Sequence, residues 1–185
     1  MSARDATVTA ADVVAFWREA GYEKWFNGGH EFDRQCEARW LAAHFAAARR
    51  DLEGWMASAD GALALLLLLD QIPRNVFRGS AHSYATDALA RHYAMRALEV
   101  GFDQQVDPVL RIFFYMPFEH SEALADQQRS LDLFNATGDA NYIRYAQLHY
   151  DIIARFGRFP HRNPALGRDS TSEELAYLAE GGFSG

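Results

Sequence analysis

"ALALLLLLDQIPRN", residues 62–75, runs through eight apolar residues and then turns polar around a proline. Ala62–Leu69 is far too short for a membrane span, which needs about 20 apolar residues. It has no polar side over two helical turns, so it reads as a helix buried all round. The helix is expected to end at Pro73, because a residue before proline avoids the helical region.

The flanking segments carry helical spacing as well. "TAADVVAFWREAG" starts from a capping Thr9 and is stopped by Gly21. Phe32, Cys36, Trp40, Leu41, Phe45, Ala48, Leu52 and Trp55 fall at helical intervals. "SYATDALARHYAMRALEVG" is amphipathic, "PVLRIFFYM" is short and apolar, and "PFEHSEALADQQRSLDLF" reads as one helix opened by Pro117. "ANYIRYAQLHYDIIARFG" stops at Gly157, and "STSEELAYLAEGG" carries a capping box. About eight helices and no strand result. With no long linker, the chain reads as a single all-α domain, residues 1–185, of antiparallel helical hairpins.

Composition narrows the partners. The formal net charge of -7 opposes nonspecific nucleic-acid binding, which needs basic patches. One cysteine, Cys36, excludes an internal disulfide, and its place on the apolar stripe marks it as a core thiol. The first residues, "MSARDATVTAAD", lack the apolar region of a secretory signal, so a cytoplasmic protein without a membrane partner is expected. Oligomeric state has no signature here.

If sequential helices run antiparallel, loops alternate between two ends. One end collects residues 21–31, 70–80, 115–122 and 156–163; the other collects 54–60, 101–107 and 135–140. The second set holds no Arg, Lys or His. The first holds Lys24, Trp25, His30, Arg74, Asn75, Arg78, Glu119, His120, Glu122, Arg158, His161, Arg162 and Asn163. Arginine forks fit carboxylate and phosphate. Asp70, Glu119 and Glu122 would orient the arginines, and His120 and His161 would move protons near neutral pH. This predicts a polar pocket for a small anion, with Arg74, Arg78, Arg158 and Arg162 as its cations. The plain alternative is that these residues only cap helices and lace loops together.

Other chemistry has weaker support. Glu-x-x-His and His-Glu-x-x-His spacings are absent, so no metal is expected. No Gly-x-Ser-x-Gly elbow, Walker pattern or dinucleotide glycine pattern occurs, so no cofactor is expected. His44, His92 and His149 read as ordinary helix histidines.

Several stretches together resemble the uncharacterised family DUF924: "VVAFW" with "KWF", "LLLLDQIPRNVFRG", "YMPFEHSE", "DQQRSLDLF", "RFGRFPHRN", "LGR" and "STSEE". The resemblance runs from about Val13 to Leu178. It implies an all-α fold of the tetratricopeptide-like superhelical type and no established activity. Its motif positions fall on Asp70, Gln71, Pro73, Arg74, Asn75, Arg78, Glu119, His120, Ser121, Gln127, Arg158, Pro160, His161, Arg162 and Asn163, which adds Gln71, Ser121 and Gln127 to the candidate ligand contacts. Met116 and Pro164 depart slightly from the family pattern. The expected function is therefore a pocket for a small anionic molecule, with His120 or His161 as acid or base and Glu119 orienting them. The alternative is a tetratricopeptide-like scaffold that binds a protein or peptide without catalysis.

Overall fold

A computed structural model describes residues 8–185. The reading of the chain start as lacking a signal falls partly on residues 1–7, outside the described ones. The helices are α1 (Ala10–Asn27), α2 (Gly29–Ala48), α3 (Ala59–Leu66), α4 (Ile72–Val76), α5 (Asp87–Glu99), α6 (Met116–Glu119), α7 (Leu124–Asn135), α8 (Ala140–Phe156) and α9 (Ser172–Ala179). Short 3₁₀ turns link several of them, and no strand occurs among the described residues. No described helix is long and apolar enough to cross a membrane.

The local signals act as their chemistry requires. Thr9 and Thr171 each form a reciprocal capping box, with Asp12 and Glu174. Gly21 breaks α1 with φ 72°, a conformation that disfavours a side chain, and the helix then resumes to Asn27. Gly157, at φ 70°, ends α8.

The core forms around α3. Every residue from Ala62 to Leu69 is 0% exposed, as an all-apolar helix demands. α1, α5 and the 3₁₀ turn Glu53–Ala57 pack against α3, while α2 packs on α4 and α7 pairs with α8. Trp17, Trp25, Phe32 and Phe113 interlock on one side of it. Cys36 is fully buried, and burial with the nearby Asp33 charge pushes its thiol up to about 12.

Several expectations fail: Gly21 kinks the first helix without stopping it, and α2 ends at Ala48, leaving Leu52 and Trp55 to the turn and 3₁₀ segment beyond it. The helix from Ala59 does not end before Pro73: it widens into a π turn at Leu67–Gln71 and continues as α4 to Val76. Ile72 keeps helical angles, φ -57° and ψ -43°, despite preceding proline. The wider turn, rather than an extended residue, accommodates the ring. The predicted helix from Pro117 is also two helices, because the chain leaves α6 at His120 and restarts at Leu124.

Candidate functional site

The π turn creates the first element of the site. Ile72 N–H bonds Leu67 O, five residues back, and Pro73 has no N–H to offer. Leu68 O and Leu69 O thereby lose their α-helical donors. Side chains replace them: His44 Nδ1 lies 2.8 Å from Leu68 O, and the Thr86 hydroxyl donates to Leu69 O. Arg74 Nη1 donates to Asp70 O at 2.7 Å, and Asn75 Nδ2 to Gln71 O at 3.1 Å. Four successive carbonyls each receive a side-chain partner, two of them in place of a lost backbone donor, as buried acceptors require.

The turn holds Asp70 inward, 1% exposed. Its Oδ1 is 2.8 Å from His120 Nδ1 and 3.4 Å from Arg74 Nη1, and Gln71 Nε2 donates to Oδ2 at 2.6 Å. Burial alone would raise the Asp70 carboxyl. The fields of His120 and Arg74, with the hydrogen bonds from His120 and Gln71, outweigh it and hold the group below the ordinary carboxylate range. Arg74 also forms a two-pronged pair with Asp87, both contacts 2.9 Å. Burial works against its charge, yet Asp70 and Asp87 raise it above the usual guanidinium value.

His120 sits where the chain turns between α6 and α7, and that turn is clamped like the first. Gln127, 0% exposed, donates from Nε2 to Glu119 O at 2.7 Å and to Ser121 O at 2.6 Å. Arg162 Nη1 donates to His120 O at 3.0 Å. Ser121 donates to Asp126 at 2.7 Å and accepts from Arg91 at 3.0 Å. Asp70 Oδ1 can only accept, so the His120 proton sits on Nδ1 and leaves Nε2 with a lone pair.

Arg162 joins from the turn Pro160–Arg162 after α8. It is 6% exposed, and its guanidinium carbon lies 4.5 Å from the Tyr84 ring centre and 4.4 Å from that of Phe159. Its nearest carboxylate, Asp87, stays 3.7 Å away, and its buried Nε has no partner. Burial and the Arg74 charge outweigh Asp87 and bring Arg162 down to about 10. Arg74, Arg78, Arg158 and Arg168 each grip a carboxylate with two contacts. Arg162 does not.

The structure thus brings Asp70, Gln71, Arg74, His120 and Arg162 together, uses Asn75, Ser121 and Gln127 to brace the same two turns, and sends the remaining candidates elsewhere. Arg158 turns to the buried Glu174 of α9, at 2.6 and 2.8 Å, and Asn163 donates to the same carboxylate at 3.2 Å. Glu122 pairs with Arg168 and accepts from Phe159 N–H. Glu119 lies 3.1 Å from His149 Nδ1, a helix histidine that also faces Tyr145 O at 2.8 Å. His161 packs near the Phe159 and Phe183 rings, and its buried Nδ1 lacks a partner. Burial, then the Arg162 charge, brings His161 down to about 4. Arg78 pairs with Asp33 over a shallow cleft of about 310 Å³, lined also by His30, Arg34, Glu37 and Asn75. Among the described residues, no group of three or more His, Cys, Asp or Glu is placed to hold a metal.

The Glu174 contacts set a pH window. The hydrogen bond from Arg158 outweighs burial and, with Thr171 N–H and Asn163, brings the carboxyl down from 4.5 to about 2. A lowered carboxylate contributes its stability above the unfolded value and loses it as pH falls through the folded one. Glu174→Gln is expected to flatten the decline in stability between about pH 4.5 and about pH 2. Urea unfolding at stepped pH measures this; parallel wild-type and variant slopes would remove the assignment.

Asp87, Tyr84, Arg91, His149 and Glu174 are the contributors that loop parity missed. Asp87 lies in the first turn of α5, and Glu174 closes the capping box of α9. Both have those local roles and a long-range partner besides.

Comparison with known proteins follows the same residues. The model of a bacterial family of unknown function, DUF924, matches residues 13–182. No curated protein matches the chain. The solved structure of a protein of unknown function from Agrobacterium tumefaciens is similar, with a TM-score of 0.89 and 54% identity over 92% of this chain and 97% of that one. The chain, from "VVAFW" through α9, belongs to the DUF924 family of bacterial proteins.

Proposed function

We propose that the end of the molecule where Asp70, Arg74, His120 and Arg162 meet binds a small anionic molecule, with His120 as its acid–base group. One observation carries this reading: a buried Asp70–His120 pair stands beside Arg162, a buried arginine without a close carboxylate of its own. A purely structural network would be expected to grip such a cation as closely as it grips Arg74, because a poorly compensated buried charge is costly, whereas Arg162 has Asp87 only at 3.7 Å, on a carboxylate already held by Arg74. Asp70 fixes the tautomer and orientation of His120. Nε2 then accepts a proton in one state and returns it in the other. Arg162 supplies donor N–H groups and charge to a carboxylate or phosphate. Glu119 reaches this site only through the turn it shares with His120, so its role is to anchor His149 and that turn.

The test is a thermal-shift panel of carboxylates, phosphates and nucleotides, followed by calorimetric titration. A ligand at about 100 times its dissociation constant adds about 2.7 kcal/mol. For a chain of this length that raises Tm by about 5 °C or more. A flat response across the panel would sink the reading. A protein- or peptide-binding scaffold is the second reading. The exposed Tyr22 and Phe26 rings, with Tyr142 beside Tyr22, favour it.

A further inference from the structure

Tyr84 is a polar group beside Arg162 that the anion reading leaves without a role. Tyr84 ends the 3₁₀ turn Ala81–Tyr84. The Ser83 hydroxyl, bonded to Phe77 O, and the Thr86 hydroxyl, bonded to Leu69 O, fix the backbone on either side of it. Its half-buried ring touches both site arginines, 5.7 Å from the Arg74 guanidinium carbon and 4.5 Å from that of Arg162. Guanidinium groups only donate, so neither can accept the phenol proton. The oxygens of Asp87, the nearest acid along the chain, accept from Arg74, and the phenol does not bond them. Three other phenols have partners in the protein: Tyr115 donates to Asp103, Tyr22 accepts from Asn141, and Tyr177 accepts from Phe183 N–H. What sets Tyr84 apart is its place against both site arginines. Among the described residues nothing bonds the Tyr84 hydroxyl, and it is not sealed from solvent.

We propose that the Tyr84 hydroxyl is a specificity-determining donor to the anion held by Arg162, so that the ligand presents at least two acceptor oxygens, as a carboxylate or a phosphate monoester does. The inference rests on the anion-site reading. One oxygen takes an Arg162 N–H, and a second takes the Tyr84 O–H. A monatomic anion such as chloride is a single acceptor centre and cannot offer the two separate oxygens that the Arg162 and Tyr84 donors would take.

Tyr84→Phe isolates the hydroxyl, because the ring and its contact with both guanidiniums remain. Acetate, inorganic phosphate and chloride are titrated into wild type and variant by calorimetry, and each protein is melted without ligand. A hydrogen bond to a charged group implies about tenfold or more in affinity. The expected result is that loss for acetate or phosphate, with chloride binding and the ligand-free Tm unchanged. Equal oxyanion affinity in both proteins overturns the Tyr84 assignment and leaves the anion site standing. Wild type that binds none of the three overturns both. A variant with lowered Tm and equally weakened chloride and oxyanion binding assigns Tyr84 to packing and also overturns the proposal.

Discussion

Asp70→Ala is expected to lower the unfolding free energy by about 3–5 kcal/mol, the range for removing one partner of a buried ion pair. The reasons are specific to this turn. Asp70 is 1% exposed and is shared by His120, Arg74 and Gln71. Alanine leaves His120 Nδ1 and Gln71 Nε2 facing a void, while Arg74 keeps Asp87. For a chain of this length the loss corresponds to a fall in Tm of roughly 10 °C. Because burial is outweighed by His120 and Arg74, the carboxyl is held low, so its contribution is complete at neutral pH and fades only in acid, below the ordinary carboxylate range. Wild type and Asp70→Asn are therefore expected to converge in stability as pH falls there. Urea unfolding at pH 7 measures the first effect, and a pH series measures the second. A loss under about 1 kcal/mol for alanine would mean that the pair contributes almost nothing to the fold.

Arg162→Met gives the opposite pattern, a small change in stability with a large loss of binding. Methionine keeps an unbranched chain against Tyr84 and Phe159 and removes a cation that burial and Arg74 already disfavour. The clamp on His120 O is lost as well, at about 1 kcal/mol. These effects oppose each other, so the free energy of unfolding is expected to stay within about 1 kcal/mol of wild type. The anion-induced rise in Tm should vanish, and affinity should fall about 100-fold or more, because the main cation of the site is gone. A loss of more than about 3 kcal/mol would instead make Arg162 a structural residue. This single variant separates a retained functional charge from a folding device.

Most helices were legible because apolar spacing, caps and glycine stops act locally. The meeting of residues 70–75, 120 and 162 was also legible in outline, since loops between antiparallel helices alternate between two ends. Side-chain choice was not. Arg158 and Arg162 are four residues apart in one segment, yet the first turns to Glu174 and the second to His120 O. That fork depends on α9 returning across the turn, a long-range event without local periodicity. The π turn was hidden for a related reason. Proline before a polar cluster ordinarily ends a helix, and only Thr86 and His44, 17 and 24 residues away, make continuation through Pro73 tolerable by binding the stranded carbonyls.

The wide turn at Leu67–Gln71 also sets a phase. A π turn holds about one residue more than an α turn over the same axial advance, and one residue corresponds to about 100° of rotation about the helix. Leu63–Leu66 and Arg74–Val76 therefore belong to one rod read in two frames. The first frame satisfies the core, and the second directs Arg74 to Asp87 and Asn75 back to Gln71 O. Shortening the turn by one residue would merge the frames. The apolar rod would survive, and every polar side chain beyond it would point about a quarter-turn away from its present partner.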